Sequence, residues 1–164
     1  MKPTIGIFGL SCSGKTTVAT VLASRLDCEV RSCGELIRER AAALGVAVGA
    51  LPVSEHHIID AETRRIAEQQ QRVVIIDGTF LDNVLAGVEN VWLVELNASR
   101  EERARRYSAR QLAGGIAERD EADDLVRYNL YRDEPRRPAA YTVDTTNVSV
   151  SIVVTRIEKQ WRDA

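Results

Sequence analysis

Eight consecutive residues near the start of the chain have the composition and spacing of a phosphate-binding loop. Gly9 opens the segment and Gly14, Lys15 and Thr16 close it, so the pattern G-x-x-x-x-G-K-[ST] is complete. The glycines permit a tight backbone path with inward N–H groups, and the dipole of a following helix reinforces them. Lys15 can reach the β- and γ-phosphates of ATP, and the Thr16 hydroxyl can ligate Mg²⁺. The predicted nucleotide contacts are Gly9, Ser11, Cys12, Ser13, Gly14, Lys15, Thr16 and Thr17.

A second candidate stands at the end of the most apolar run of the chain, Val73–Ile76, which Asp77 and Gly78 follow. Ligands of parallel sheets lie beyond the carboxyl ends of the strands, so Asp77 is expected beside the loop. A carboxylate there can bind Mg²⁺ through water or orient an acceptor. We therefore predict Asp77 as a metal-binding and catalytic residue. The alternative is an aspartate that only begins a turn before glycine.

Arginine supplies most of the positive charge, with 19 of the 22 basic residues, and it is concentrated in the second half of the chain. Its planar fork binds phosphate through two parallel hydrogen bonds. Arg103, Arg106 and Arg110 recur at helical spacing along one face, and Arg119 and Arg127 follow on the next predicted helix. Some of these arginines are expected to face the transferred phosphoryl group, and the others to form a solvated helix face.

The elements that would position these residues are short apolar runs alternating with amphipathic segments. The predicted strands are Ile5–Phe8, Glu29–Arg31, Val73–Ile76, Val91–Val94 and Tyr141–Val143. The predicted helices are Lys15–Leu26, Gly34–Leu44, Glu55–Gln71, Ser99–Leu112, Ala117–Tyr131 and Asn147–Trp161. This alternation predicts a parallel sheet with helices on both faces. Residues 45–53 are predicted to form a mobile loop, and Gly114–Gly115 a hinge.

Length and composition narrow the class of protein. A chain of 164 residues with 45% hydrophobic and 28% charged residues suits one globular domain. The net charge of -2 argues against a partner that is a nucleic-acid polymer. No apolar run approaches the roughly 20 residues of a membrane span. Three cysteines without framework spacing favour reduced thiols. We expect a cytoplasmic protein, monomeric or homodimeric, that acts on a small molecule away from membranes.

Further motifs resemble the nucleoside monophosphate kinases, above all the short archaeal-type cytidylate kinases, and the resemblance runs nearly from end to end. Ser32–Arg38 is similar to the family's S-x-G-[DE]-x-x-R, and Asp77–Gly78 is similar to its acidic-Gly step. Arg119–Tyr131 resembles the lid pattern R-[DE]-x-x-[DS]…R-Y-x-x-x-Y. The remaining similar segments are Glu55–His56, Ile59–Asp60, Ala98–Arg106 and Tyr141–Thr146.

The resemblance implies a P-loop NTPase fold, three-layer α/β/α, with a five-stranded parallel sheet in the order 2-3-1-4-5. It implies one kinase domain over residues 1–164, with acceptor-binding helices at about 33–71 and a lid at about 106–127. The implied activity is phosphoryl transfer from ATP-Mg²⁺ to a nucleotide acceptor. The implied catalytic residues are Lys15, Asp77, Arg106, Arg119 and Arg127, with Arg103 near the adenine. The implied acceptor ligands are Gly34, Arg38, Asp60, Arg65, Gly78 and Thr79.

Two positions depart from the family pattern on the acceptor side. Thr79 stands where the family has an arginine, and Arg64 stands where an aspartate helps to recognise cytosine. A kinase for another phosphorylated or hydroxylated metabolite therefore stays open, with Asp77 as general base for an alcohol. A third hypothesis is a catalytically silent nucleotide-binding regulatory module on the same fold. The intact Lys15 and Thr16 argue against a silent site.

Overall fold

The computed structural model describes residues 3–69 and 71–164 of the chain. Five short strands form one sheet in this part of the chain. The strands are β1 (Thr4–Phe8), β2 (Glu29–Ser32), β3 (Val74–Asp77), β4 (Val91–Asn97) and β5 (Tyr141–Asp144). The α-helices are α1 (Lys15–Leu26), α2 (Cys33–Leu44), α3 (Val53–Gln69), α4 (Leu81–Val84), α5 (Arg100–Ala109), α6 (Ile116–Tyr131) and α7 (Val150–Asp163). The predicted alternation of strands and helices is therefore present.

All strands pair in parallel, in the order β2-β3-β1-β4-β5. Every residue of β1 and β3 is buried, as parallel strands covered by helices on both faces must be. The predicted three-layer α/β/α fold and its strand order are confirmed. Register places Asp77 opposite Ile7 on one side and opposite Ser32 on the other. The end of β3 therefore lies at the centre of the sheet edge where β1 enters its loop.

Each face of the sheet has its own apolar core. On one face, Leu22 of α1 packs with Val154 and Ile157 of α7. On the other face, Leu81 and Leu85 pack under the strands with side chains of β3 and β4. The elements on either side of the phosphate-binding loop, β1 and α1, both pack into the first of these cores, so the loop is held at both ends.

Helix ends differ from the prediction where local capping decides them. The predicted helix Ser99–Leu112 is shorter, because Ser99 accepts the N–H of Glu102 as an N-cap and Gln111 adopts a φ of 55°. The predicted helix from Asn147 starts at Val150, since the Ser149 hydroxyl caps it. Gly114 has a φ of 76° between α5 and α6, and the hinge at Gly114–Gly115 stays a prediction.

Two short elements escaped the sequence prediction. Residues 45–53, predicted as a mobile loop, contain a 3₁₀ turn at Val48–Ala50, and α3 already starts at Val53. The four-residue helix α4 is too short to give a periodic pattern. The predicted helix Glu55–Gln71 ends at Gln69 in the structure, and Gln70 lies outside the described residues. Both short elements border the cavity described below.

Candidate active site

The loop from Gly9 to Thr16 has the backbone that phosphate binding needs. Gly9 has a φ of 147°, and a Cβ there would lie 2.3 Å from the carbonyl oxygen of Leu96, so only glycine fits. Gly14 is the N-cap of α1 with a φ of 97°, and no side chain caps that helix. The first N–H groups of α1 therefore remain available to an anion.

Lys15 projects across its own loop. Its Nζ donates a hydrogen bond to the carbonyl oxygen of Leu10 at 3.0 Å. Burial lowers the pKa of Lys15 to about 8, although the carboxylates of Asp77 and Asp123 oppose that shift. A desolvated ammonium held by one neutral carbonyl is a strong partner for a polyphosphate, because the phosphate replaces a weak contact with a charged one.

Asp77 lies beside Thr16, as the parallel topology predicts, with 3% of its surface exposed. Its Oδ1 accepts hydrogen bonds from Thr16 Oγ1 at 3.3 Å and from Ser32 Oγ at 3.2 Å. Its Oδ2 is buried and has no hydrogen-bond partner among the described residues. Burial raises the pKa of Asp77. A buried carboxylate oxygen without a partner, next to a hydroxyl at the loop, is a donor set that suits a hard cation.

A cavity of about 270 Å³ opens on one side of the loop, among α2, α3, α4 and α6. The structure brings most of the predicted acceptor ligands together along its wall: Gly34, Arg38, Asp60, Gly78 and Thr79. Much of the remaining wall is apolar, formed by Ile37, Val48, Ile59, Phe80, Leu81, Val84 and Val126. This combination of apolar walls and few polar groups is typical of small-molecule sites.

Charged side chains in this cavity have unsatisfied hydrogen-bonding capacity. The Arg38 guanidinium has neither a hydrogen bond nor an ion pair with any residue that the structure describes. Asp60 accepts a hydrogen bond from the Tyr131 hydroxyl at 2.7 Å, and desolvation raises the pKa of Asp60. Burial lowers the pKa of His56, one turn away on the same helix. The cavity therefore offers a free cation to an anionic group and a carboxylate to a hydrogen-bond donor.

The N-terminal half of α6 lies directly on the phosphate-binding loop. Ser11 Oγ donates to Asp123 Oδ2 at 3.0 Å and accepts from Arg119 Nε at the same distance. Arg119 and Asp123 also form an ion pair at 3.2 Å, and both line the cavity. Burial raises the pKa of Asp123. The phosphate-binding loop and the cavity therefore meet at Arg119 and Asp123. The sequence prediction did not include Asp123, although it occupies the [DS] position of the quoted lid pattern.

A shallower groove of about 540 Å³ lies on the opposite side of the loop. Ser13, Gly14 and Thr17 of the predicted nucleotide contacts line it, together with Arg106 and Thr145. Thr145 Oγ1 donates to the carbonyl oxygen of Ser13 at 2.9 Å and so ties the end of β5 to the loop. The groove therefore adjoins the loop at Ser13, Gly14 and Thr17.

Arg103 and Arg106 exchange the positions that the resemblance implies. Arg103 is 4% exposed and pairs with both oxygens of Asp120 on α6, at 2.8 and 2.9 Å. Arg106 lines the groove and donates to the carbonyl oxygens of Cys12 and Thr145. Three helical residues turn the chain by about 300°, so the two side chains leave α5 in directions about 60° apart. In this structure Arg106 therefore lies beside the groove, and its predicted part in the lid stays a prediction.

Arg65 is the one predicted acceptor ligand that the structure keeps away from the cavity. Its guanidinium pairs with Glu62 at 2.6 Å and bonds Gln69, and 55% of its side chain is exposed. Five helical residues separate it from Asp60, which places the two about 140° apart around α3. In this structure Arg65 therefore lies on the outer face of α3, and its predicted contact with an acceptor stays a prediction.

Arg64 and Arg127 also bond protein groups. Arg64 donates to the carbonyl oxygens of Val84 at 2.6 Å and Ala86 at 3.1 Å, which closes the end of α4. Arg127 pairs with Asp82 and lines neither the cavity nor the groove. The expectation that Arg127 contacts the transferred group does not match its position.

Within residues 3–69 and 71–164, no cluster of three or more His, Cys, Asp or Glu side chains can hold a metal ion unaided. A cation at Thr16 and Asp77 would therefore need ligands from bound phosphates, as a P-loop site requires. No helix in the described part of the chain combines the length and apolarity needed to cross a bilayer.

Comparison with known sequences identifies relatives over most of the chain. Residues 5–126 match the family described as an AAA domain. A curated cytidylate kinase from Pyrobaculum calidifontis is 31% identical in an alignment 161 residues long, and the match covers 89% of this chain and 79% of that protein. Residues 5–126 include the loop, the residues that line the cavity apart from Tyr131, and most of α6.

Solved structures share the fold at low sequence identity. An uncharacterized protein from Eubacterium ventriosum has a TM-score of 0.73 at 15% identity, covering 99% of this chain and 100% of that one. A shikimate kinase from Acinetobacter baumannii, in complex with shikimate, has a TM-score of 0.66 at 18% identity, covering 98% and 93%. A gluconokinase from Sinorhizobium meliloti has a TM-score of 0.58 at 15% identity, covering 97% of each chain. With its loop, its cavity and its family match, this chain belongs to the AAA domain family and is a P-loop kinase of the small-molecule type.

Proposed function

We propose that the protein transfers the γ-phosphoryl group of ATP to a nucleoside monophosphate, with a cytidylate-type acceptor favoured. The observation that carries this proposal is the unpaired Arg38 guanidinium in an otherwise mostly apolar cavity that adjoins the phosphate-binding loop. A guanidinium without a protein partner favours an acceptor that brings its own negative charge. The 31% identity to a cytidylate kinase supports a nucleotide as that acceptor.

On the donor side, the N–H groups at the start of α1 and the Lys15 ammonium would bind the phosphates. The nucleoside would lie in the groove beside Thr17 and Thr145. Thr16 and the unpartnered Oδ2 of Asp77 would hold Mg²⁺, which supplies charge neutralisation between the β- and γ-phosphates when bound.

On the acceptor side, Arg38 would fix the acceptor phosphate, and Asp60 would accept a hydrogen bond from the far end of the acceptor. Gly34, Gly78 and Thr79 would form the wall between them. A phosphate nucleophile is already ionised, so positioning dominates over base catalysis. Arg119 stands where loop and cavity meet, and we assign it to the charge of the moving phosphoryl group.

A second candidate is transfer to a hydroxylated metabolite. One observation favours it: Asp123 lines the acceptor cavity at the loop, and burial raises the pKa of its carboxyl. A carboxylate so placed can take the proton of an alcohol. Asp77 is less suited to that role, because it does not line the cavity and its Oδ1 is occupied by Thr16 and Ser32. Asp123→Asn would abolish turnover of an alcohol and largely spare turnover of a nucleotide.

The test is a coupled assay of ADP release with CMP, dCMP, UMP, AMP, GMP and shikimate as acceptors. We expect acceptor-dependent ADP with at least one monophosphate, CMP or dCMP first. Release with shikimate alone would select the second candidate. Tight ATP binding with no acceptor-dependent release from a wider acceptor set would instead select a silent nucleotide-binding module.

The cellular setting is part of the same proposal. Cys12, Cys28 and Cys33 are all free thiols, which suits a reducing cytoplasm. The described surface offers a small-molecule cavity, and we propose neither a nucleic-acid polymer nor a membrane as partner. One chain supplies both sides of the proposed site, so a monomer can be active. A homodimer is compatible with the same site.

A further inference from the structure

We propose that Arg127 is a positioning residue that fixes the wall of the acceptor cavity, and not a ligand of the transferred phosphoryl group. The proposal rests on the proposed function, since it assigns Arg127 a part in acceptor binding. It separates two arginines, Arg119 and Arg127, that share helix α6 two turns apart.

The donors of Arg127 are already in use. Nη1 lies 3.1 Å from Asp82 Oδ2 and Nη2 lies 3.2 Å from Asp82 Oδ1, so the pair is bidentate. Nη1 also bonds the side-chain oxygen of Asn83. Asp82 is 1% exposed, and Arg136 also bonds its Oδ2, at 2.7 Å. Reaching a phosphoryl group would require Arg127 to leave a buried carboxylate, which is strongly unfavourable.

Arg119 is placed in the opposite way. It has 44% of its side chain exposed, bonds Ser11 on the phosphate-binding loop and lines the acceptor cavity. Arg127 touches neither the loop nor the cavity. One helix therefore carries an arginine directed at the reacting groups and another directed into the protein.

Arg127 is connected to the wall of the acceptor cavity through aromatic side chains. Its guanidinium carbon lies 5.0 Å from the centroid of the Phe80 ring, and Phe80 lies 5.5 Å from the ring of Tyr131. Phe80 and Tyr131 both line the cavity, and Tyr131 holds Asp60 by its hydroxyl. Removing the guanidinium would remove its contact with the ring of Phe80 and the ion pair that joins α6 to Asp82 of α4. The expected consequence is a looser acceptor cavity beside an unchanged phosphate-binding loop.

The test compares Arg127→Gln with Arg119→Gln, the same chemical change on the same helix, by steady-state kinetics with ATP and CMP. For Arg127→Gln we expect the acceptor KM to rise about tenfold or more, with kcat at saturating CMP within about threefold of wild type. For Arg119→Gln we expect kcat to fall about 10²-fold or more. A fall in kcat for Arg127→Gln as large as for Arg119→Gln, at an unchanged acceptor KM, overturns the proposal.

A stability measurement keeps the test valid if Arg127→Gln folds poorly. Arg127→Gln leaves the Asp82 carboxylate with Arg136 as its remaining arginine partner. The double variant Arg127→Gln/Asp82→Asn also removes the negative charge of that buried carboxylate. We expect the double variant to unfold at a higher temperature than Arg127→Gln alone and to keep the raised acceptor KM. Strictly additive effects of the two substitutions on unfolding would contradict a coupled pair.

The proposal and the function can fail separately. If wild type phosphorylates shikimate and no monophosphate, the proposed function fails, and the KM-against-kcat comparison is repeated with shikimate. If wild type turns over no acceptor, both the proposed function and the positioning role fail, whatever the unfolding data show. If wild type uses CMP and Arg127→Gln lowers kcat alone, only the assignment of Arg127 fails.

Discussion

The two ends of the site are built from different materials. The proposed donor end is a segment of eight consecutive residues that leads into the uncapped start of α1, and Lys15 is the side chain that adds the charge. The acceptor end is a set of side chains from α2, α3, α4 and α6, which are distant in sequence. Backbone groups do not change when a residue is replaced, whereas each acceptor contact depends on one side chain.

This difference teaches where selectivity resides. A backbone loop binds phosphate in any kinase of this kind, so it fixes the donor and the reaction. The cavity contacts decide which molecule receives the phosphoryl group, because a buried polar group left unpaired discriminates strongly between similar ligands. We therefore expect substitutions at the donor end to remove activity and substitutions at the acceptor end to redirect it.

The largest effect is expected at the donor end, from Lys15→Ala. Removing the ammonium deletes the charged side-chain contact to the phosphates, so kcat should fall by about 10²–10³-fold or more with every acceptor. Lys159→Ala is the matched control, since Lys159 is an exposed lysine on α7. ADP release measures both variants. Retention of more than about a tenth of wild-type kcat by Lys15→Ala would contradict the comparison.

At the acceptor end, Arg38→Ala should raise the acceptor KM by about 10–100-fold, the range expected for a charged hydrogen bond. The KM for ATP should stay within about twofold. Arg65→Ala should leave both constants near wild type, because Arg65 pairs with Glu62 on the outer face of α3. Kinetics with varied CMP at fixed ATP separate the two arginines. A larger KM effect for Arg65 than for Arg38 would reverse our placement of the acceptor.

The pH dependence of ATP binding should report on Lys15. Its pKa is lowered from 10.5 to about 8, so the free protein loses this charge as the pH rises through 8. ATP affinity should be nearly constant below that pH and weaken by up to about tenfold per pH unit above it. Lys15→Arg should flatten the profile, since arginine stays protonated. Binding titrations of ATP over about three pH units, from about 6.5 to about 9.5, provide the measurement.

The smallest effect is expected from Asp60→Asn. The Asp60 carboxylate favours an acceptor with an N–H donor, such as the amino group of cytosine, over one with a carbonyl there, as in uracil. Asn can still accept from Tyr131 and can donate to a carbonyl. We expect the ratio of kcat/KM for CMP over UMP to fall about tenfold. Glu62→Gln, the equivalent change on the exposed side of α3, should leave the ratio unchanged. An unaltered ratio in Asp60→Asn would remove Asp60 from recognition of the base.

The predictability of the site follows the same division. The donor loop could be predicted because one contiguous pattern specifies the turn, the helix start and the lysine together. The strands could be predicted because buried parallel strands are uninterrupted apolar runs. The strand order came with the family resemblance. Helix ends depended on capping by Ser99 and Ser149, which the periodic pattern does not contain.

The arginines show why the acceptor end was harder to predict. Arginine is a residue type that binds phosphate, yet four arginines bind protein groups between residues 82 and 91. They are Arg64, Arg127, Arg136 and Arg137. Their partners are carbonyl oxygens and a buried aspartate that only the tertiary fold brings near. A cluster of arginines in the sequence therefore predicts anionic or carbonyl partners, and the tertiary fold determines whether those partners belong to a ligand or to the protein.

The most direct test of the account is a competition among acceptors. The protein is incubated with ATP-Mg²⁺ and equal amounts of CMP, UMP, shikimate and gluconate, and the products are identified by mass spectrometry over time. We expect CDP to form first, and we expect its formation to require Lys15 and Arg38. Formation of a phosphorylated alcohol while CMP stays unreacted would contradict it.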